Sequence, residues 1–196
     1  MDEATQVGVD GATFGHDMIS TERLDLVLLS VEEVLTYADV APGADLLADK
    51  PFANPHGLLV DDVGPLHYRI RQVRADPSVN PWLVHVMVER SSNTAIGFVN
   101  FHDRPDANGM VEIGYRVVPP RRRQGFALEA TLGMFQWALL DSHVWTFRAS
   151  VSPGNVASRN LVEGLGLIEV GLQEDPDDGP EIIYEIAAAE FAARFS

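Results

Sequence analysis

The stretch from Met110 to Ala138, MVEIGYRVVPPRRRQGFALEATLGMFQWA, constrains this chain more than any other. Its first part alternates as a strand does, with Val111, Ile113, Tyr115 and Val117 on one face and Glu112, Gly114, Arg116 and Val118 on the other. Pro119 and Pro120 then stop the ladder, since neither has an N–H to donate. A basic turn follows, Arg121-Arg122-Arg123-Gln124-Gly125-Phe126-Ala127. Beyond it, Leu128, Thr131, Leu132, Phe135, Ala138 and Leu139 recur at helical spacing and predict an amphipathic helix over about 124–141. A strand, a basic turn with a glycine and a helix start together make an anion site. The first-turn N–H groups point outward and the helix dipole favours negative charge there.

Charge makes that turn stand out. The 196 residues carry 14 basic and 29 acidic side chains, a formal net charge of −15, which argues against a nucleic-acid partner. Arg121, Arg122 and Arg123 are therefore a local exception in an acidic chain. The absence of cysteine excludes disulfides, thiolate zinc sites and cysteine nucleophiles. The six histidines show no ligand spacing, so no metal is expected. No apolar run approaches membrane-spanning length, and the acidic start (Asp2, Glu3) is unlike a secretory signal. The expectation is a cytoplasmic protein without a membrane partner. Length suits one domain, taken as residues 19–196 behind a poorly ordered tail at 1–18.

In chain order, Arg23–Leu29 reads as a strand, and Ser30 caps a helix from Val31 to about Val40 with Glu32 and Glu33 in its first turn. Val63–Ala75 reads as a second helix with Pro65 near its start, closed by Asp76-Pro77. Three strands follow, over Trp82–Glu89, Ala95–Phe101 and Val111–Val118, joined by connections too short for crossovers and hence antiparallel. The helix after the basic turn leads to a strand at Val144–Val151, which a right-handed crossover would make a parallel neighbour. A helix from Asn155 to Gly164, strands at Leu167–Leu172 and Glu181–Ile186, and a short helix over Ala187–Phe195 complete the chain. Trp137 and Trp145 are expected in the core, and Glu174–Asp178 as a solvated acidic turn.

Three segments in this order resemble the GNAT family of N-acetyltransferases: Glu112-Ile113-Gly114-Tyr115, then Arg122 to Ala130, which contains Arg-x-x-Gly-x-Ala, then Asn155 to Leu167. Within that family the match is to the branch of the ribosomal-protein N-terminal acetyltransferases (RimJ/RimL-like), and it covers about residues 82–186. The resemblance implies an α/β fold with a mostly antiparallel, splayed central sheet flanked by helices. It also implies acetyl-CoA as acetyl donor and a primary amine as acceptor, either a protein N-terminus or a small cationic amine. Homodimers are common in the family.

The same resemblance assigns residues. Arg122, Arg123, Gln124, Gly125, Phe126 and Ala127 would hold the cofactor pyrophosphate. Backbone groups at Val117 and Val118 would bind the pantetheine arm and polarise the thioester carbonyl. Asn155 and Ser158 would lie beside the arm and sulfur. Glu112 is the candidate general base, since a free amine is mostly protonated at neutral pH. Ser158, placed by the resemblance beside the sulfur, is the candidate donor to the departing thiolate; many members use a tyrosine for that role where this sequence has Val162. The branch often has glycine at the position of Arg123, so an L-residue there implies that the turn does not demand positive φ. His102 reads as structural or surface, although it could border the acceptor. A non-catalytic acetyl-CoA-binding or interaction module is the alternative reading.

Overall fold

The computed structural model describes residues 6–7, 13–14, 17–37, 44–60, 66–177 and 179–195. Its frame is a ten-stranded sheet in the order β1-β2-β3-β4-β5-β6-β7-β8-β10-β9. The strands are β1 (Gln6–Val7), β2 (Thr13–Phe14), β3 (Met18–Ser20), β4 (Leu24–Leu28), β5 (His85–Glu89), β6 (Thr94–Phe101), β7 (Met110–Val117), β8 (Thr146–Val151), β9 (Ile168–Asp175) and β10 (Gly179–Ala187). All neighbouring pairs are antiparallel except β7 with β8, which the intervening crossover makes parallel. The expected mostly antiparallel α/β architecture is therefore present. Most of the tail expected at 1–18 lies outside the described residues, although β1 and β2 pair with each other and β2 pairs with β3.

Helix α1 (Val31–Thr36) starts at Ser30 in a reciprocal capping box: the Ser30 hydroxyl accepts from Glu33 N, and the Glu33 carboxylate accepts from Ser30 N at 2.7 Å. Helix α2 (Leu66–Ala75) buries Leu66, Arg69, Ile70 and Val73; the expected start at Val63 lies outside the described residues. A 3-10 turn over Pro77–Trp82, capped by Asp76, leads into β5, so Trp82 belongs to that turn and not to a strand. Helix α3 (Phe126–Ala138) buries Ala130, Thr131, Met134, Phe135 and Ala138, but Leu128 is exposed, contrary to the helical-spacing expectation. Phe135 stacks on Phe147 of β8 at 4.0 Å, and Phe191 of α5 (Ala188–Arg194) packs edge-on against both. Helix α4 (Val156–Gly164) buries Val162.

Trp145 departs from expectation. It is 59% exposed, lying over Gly109, where a Cβ would come within 2.8 Å of its ring. Strand β8 begins only at Thr146, so the indole sits at the sheet's end and covers a turn. Strands β9 and β10 also run further than expected, which places Glu174 and Asp175 in a strand and tightens the acidic turn.

Candidate active site

Strands β7 and β8 pair over three positions only: Met110 with Thr146, Val111 with Phe147, and Glu112 with Arg148. Past Glu112, β7 stays with β6 through Val117, while β8 stays with β10 through Val151. The sheet splits between them. A cavity of about 710 Å³ lies at the split, lined by Tyr115 and Val117 of β7, by Arg122, Arg123, Gly125, Phe126 and Ala127 of the turn, and by Asn155, Ser158 and Leu161 at α4. Exposed Leu128 also lines it, which accounts for its position on α3.

The turn is built for an anion. Helix α3 starts at Gly125, φ +84°, and no side chain caps it, so its first N–H groups are left for another acceptor. Arg121 is committed elsewhere, pairing with Glu89 at 2.9 Å. Arg122 Nε donates to the Val117 carbonyl at 2.9 Å, fixing the guanidinium against the end of β7. Arg123 is exposed and has no ion pair or hydrogen bond among the described residues, so its charge is available. Its φ is +60°, which overturns the inference that an arginine here means the turn does not need positive φ. The chain does adopt the left-handed conformation, at a cost for an L-residue of about 1–2 kcal/mol. Gln124 is not on the cavity wall: its side chain donates to Pro120 O at 3.2 Å.

The turn is braced from behind by Arg23, immediately before β4. Arg23 donates to Glu129 of α3 at 2.6 Å and to the Gln124 carbonyl at 2.9 Å, and lies over the Phe126 ring at 4.5 Å. Glu129 also accepts from Thr21 Oγ1 at 2.6 Å and Arg23 N at 2.7 Å. At α4, Asn155 accepts from Ser158 N at 3.2 Å, so it caps the helix as well as lining the cavity. The Tyr115 hydroxyl is buried and lies beside the Ser158 side chain, but makes no hydrogen bond of normal geometry. Burial pushes the Tyr115 phenol up, with Ser158 pulling weakly the other way.

These features fit a diphosphate on an extended arm. The anion would meet Arg122, Arg123 and the uncapped helix start, and the arm would lie along the split.

Glu112 points to the opposite face of β7. Its carboxylate is 3.9 Å from Nδ1 of half-exposed His102. Buried Arg69 is close enough for Asp103 and Glu112 to oppose the burial that brings its pKa down to about 10. Arg69 donates to the His102 carbonyl at 2.8 Å. Glu112 thus sits in a small charge network that includes His102. A second cavity, about 300 Å³, also lies against β7, lined by His56, Gly57, Leu58, Leu59, Phe98, Arg116, Val118, Pro119 and Pro120. Val118 faces this cavity and Val117 the first, so the two expected carbonyl-binding residues stand on opposite sides of one strand end. Among the described residues no cluster of three or more acidic or histidine side chains could hold a metal ion. No described helix is long and apolar enough to cross a membrane.

Nothing in the sequence marks Arg23, Arg69 or the segment 56–59 as belonging to the site, and the alternation of β7 puts Tyr115 on an apolar face without showing that it lines the cavity.

Residues 34–168, well over half of the chain, match the family described as Acetyltransferase (GNAT) domain. The chain belongs to that family. A curated relative, the uncharacterized N-acetyltransferase YjdG of Bacillus subtilis, is 32% identical over 83 residues, 42% of this chain and 49% of the relative. The match thus spans about half the length of that protein. Among solved structures, RimJ of Mycobacterium smegmatis in complex with CoA-disulfide is 19% identical with a TM-score of 0.58, covering 85% of this chain and 83% of that one. The ribosomal-protein-S5-alanine acetyltransferase of Vibrio fischeri is 15% identical with a TM-score of 0.60, covering 89% and 98%. At these identities the two structures establish a shared fold.

Proposed function

We propose that the chain binds acetyl-CoA at the split between β7 and β8 and transfers its acetyl group to a primary amine. The observation that carries this reading is the 710 Å³ cavity, whose lining combines the uncapped start of α3 and Arg122 and Arg123 with Tyr115 of β7 and Asn155 and Ser158 of α4. In this reading the turn Arg122–Ala127 binds the pyrophosphate, with Gln124 contributing backbone. The end of β7 at Val117 and Val118 binds the arm and polarises the thioester carbonyl.

The acceptor would enter on the Glu112 face, where the 300 Å³ cavity shares the end of β7. Glu112, positioned by His102 and Arg69, takes the amine proton, directly or through water. Attack is direct, with both substrates bound and no acyl-enzyme, so orientation supplies much of the rate. Asp175 acts electrostatically on His102, which brings the acidic hairpin close to this face and suits a cationic acceptor such as a protein N-terminus or a small amine. Residues 19–196 are taken as one acetyltransferase domain.

The test is release of free thiol from acetyl-CoA with a panel of N-terminal peptides and polyamines, alongside calorimetric titration of CoA. Cofactor binding with turnover of at least one amine supports the reading, and failure to bind CoA overturns it. A second reading, a non-catalytic acetyl-CoA-binding module, is favoured by buried Val162 at the position of the family's tyrosine. It predicts CoA binding with no turnover of any amine.

A further inference from the structure

A carboxylate that takes a proton from an amine returns to work only when that proton has left it. The Glu112 side chain is 15% exposed, so its surroundings decide where the proton goes. Arg69 accepts nothing: it is buried and, with a pKa of about 10, stays protonated near neutrality. His102 differs. Its side chain is 48% exposed and its Nδ1 lies 3.9 Å from Glu112 Oε1. A gap of that size closes with a small rotation of the ring or with one bridging water.

The fold holds His102 in place on both sides of its backbone. Its N–H donates to the Glu112 carbonyl at 2.8 Å, and its own carbonyl accepts from Arg69 and Gln72 of α2, each at 2.8 Å. The ring lies over Gly114, where a Cβ would come 3.0 Å from Nε2. Gly114 is two residues beyond Glu112, on the same face of β7 and past the last pairing with β8. The glycine of the Glu-Ile-Gly-Tyr segment thus makes room for an imidazole that lies on the open part of the strand, beside Glu112 and in touch with solvent.

Building on the acetyl-transfer reading, we propose that His102 is the relay that carries the acceptor's proton from Glu112 to solvent. Burial lowers the pKa of its ring against the opposing pull of Glu112; Arg69 adds to the lowering, and Asp175 of β9 opposes it. Asp103, the next residue, accepts from Gln72 at 2.9 Å. The imidazole is therefore neutral near pH 7 and ready to accept. The step balances without a further reagent. The acceptor ammonium loses one proton to Glu112, and its freed lone pair forms the bond to the acetyl carbon. The carbon–sulfur bond breaks with its electron pair on sulfur, and the nitrogen's second proton neutralises that thiolate. The protonated Glu112 passes the first proton to Nδ1 of His102, and the imidazolium gives it up to water, which restores carboxylate and neutral imidazole together.

The test follows thiol release from acetyl-CoA in the wild type and His102→Ala, with the N-terminal peptides and polyamines named above as acceptors. The expected result in the variant is a kcat about a hundredfold lower, with the KM for the amine and the affinity for CoA kept. Added imidazole should restore the variant's rate in proportion to its concentration and leave the wild type unchanged. A wild-type kcat in His102→Ala, or a lost rate that imidazole does not restore, overturns the relay while the acetyl-transfer reading stands. If the wild type releases no thiol with any of these amines, the acetyl-transfer reading has failed and the relay with it. Should His102→Ala not fold, 2-fluorohistidine placed at position 102 keeps the shape of the ring with far lower basicity. A kcat that falls with that basicity supports the proposal, and an unchanged kcat overturns it.

Discussion

Arg23 Nε and Glu129 Oε2 lie 2.6 Å apart across 106 residues of chain, and this contact fixes the anion turn relative to the start of β4. The guanidinium also holds the Gln124 carbonyl and covers Phe126, so one side chain restrains both the last part of the turn and the first residue of α3. Half-exposed ion pairs contribute little to global stability, so its value is in placement. Arg23→Ala is expected to weaken CoA binding about tenfold, or ~1.4 kcal/mol, while lowering the melting temperature only a few degrees. Calorimetry and thermal melts on the same samples check this, and unchanged affinity would remove Arg23 from the site.

Arg123 holds a left-handed backbone at φ +60° while presenting an unpaired charge to the cavity. Glycine adopts that conformation without the steric cost. Arg123→Gly should therefore raise stability by about 1 kcal/mol, read from urea unfolding, and also reduce both CoA affinity and its salt dependence. A destabilised variant would show that the arginine contributes more than charge.

Glu112→Gln keeps size and polarity but cannot accept the amine proton. With an active acceptor in hand, turnover should fall about a hundredfold or more with acetyl-CoA affinity unchanged. A rate equal to wild type would sink the base assignment.

His85, on β5, is 3% exposed with its Nδ1 3.0 Å from the Leu83 carbonyl, and burial brings its pKa down to about 4. The unfolded chain, with an ordinary imidazole near 6.5, binds this proton more readily than the fold does. Stability is therefore full above about pH 6.5, falls as pH drops toward 4, and levels off below that. The loss is roughly 3 kcal/mol for this group. Urea unfolding at pH 7 and pH 4.5 measures it, and His85→Gln should remove much of the difference. An equally steep pH dependence in the variant would assign the effect to other groups.

The strand–turn–helix unit was legible in the sequence because each part is local: alternation for β7, two prolines to stop it, and glycine at the helix start. The parallel β7–β8 neighbour was legible from the crossover between them. What decides the site's shape is not local. Nothing near Arg23 marks it as a partner of Gln124 and Glu129, and the alternation that placed Tyr115 on an apolar face is silent about its oxygen. Trp145 departs from the core expectation because hydrophobicity alone cannot separate a core residue from a cover over Gly109. Leu128 follows the helical period, yet its neighbour is a cavity and not the sheet. The segment at 56–59 carries no periodicity, and its place on the wall of the smaller cavity depends on the long excursion between α1 and α2.

The short β7–β8 pairing gives the molecule two half-sheets zipped at one end, with α3 packed on the half that ends in β7 and reaching β8 through Phe135. Backbone on the two inner edges, after Glu112 and after Arg148, has no ladder between those strands. An extended ligand lying there would act as the absent rung of a ladder. Amide hydrogen exchange at Ile113–Val117 and Ala149–Val151 would then slow on ligand addition well before the outer strands respond, and the two halves would behave mechanically as one plate only while the slot is filled.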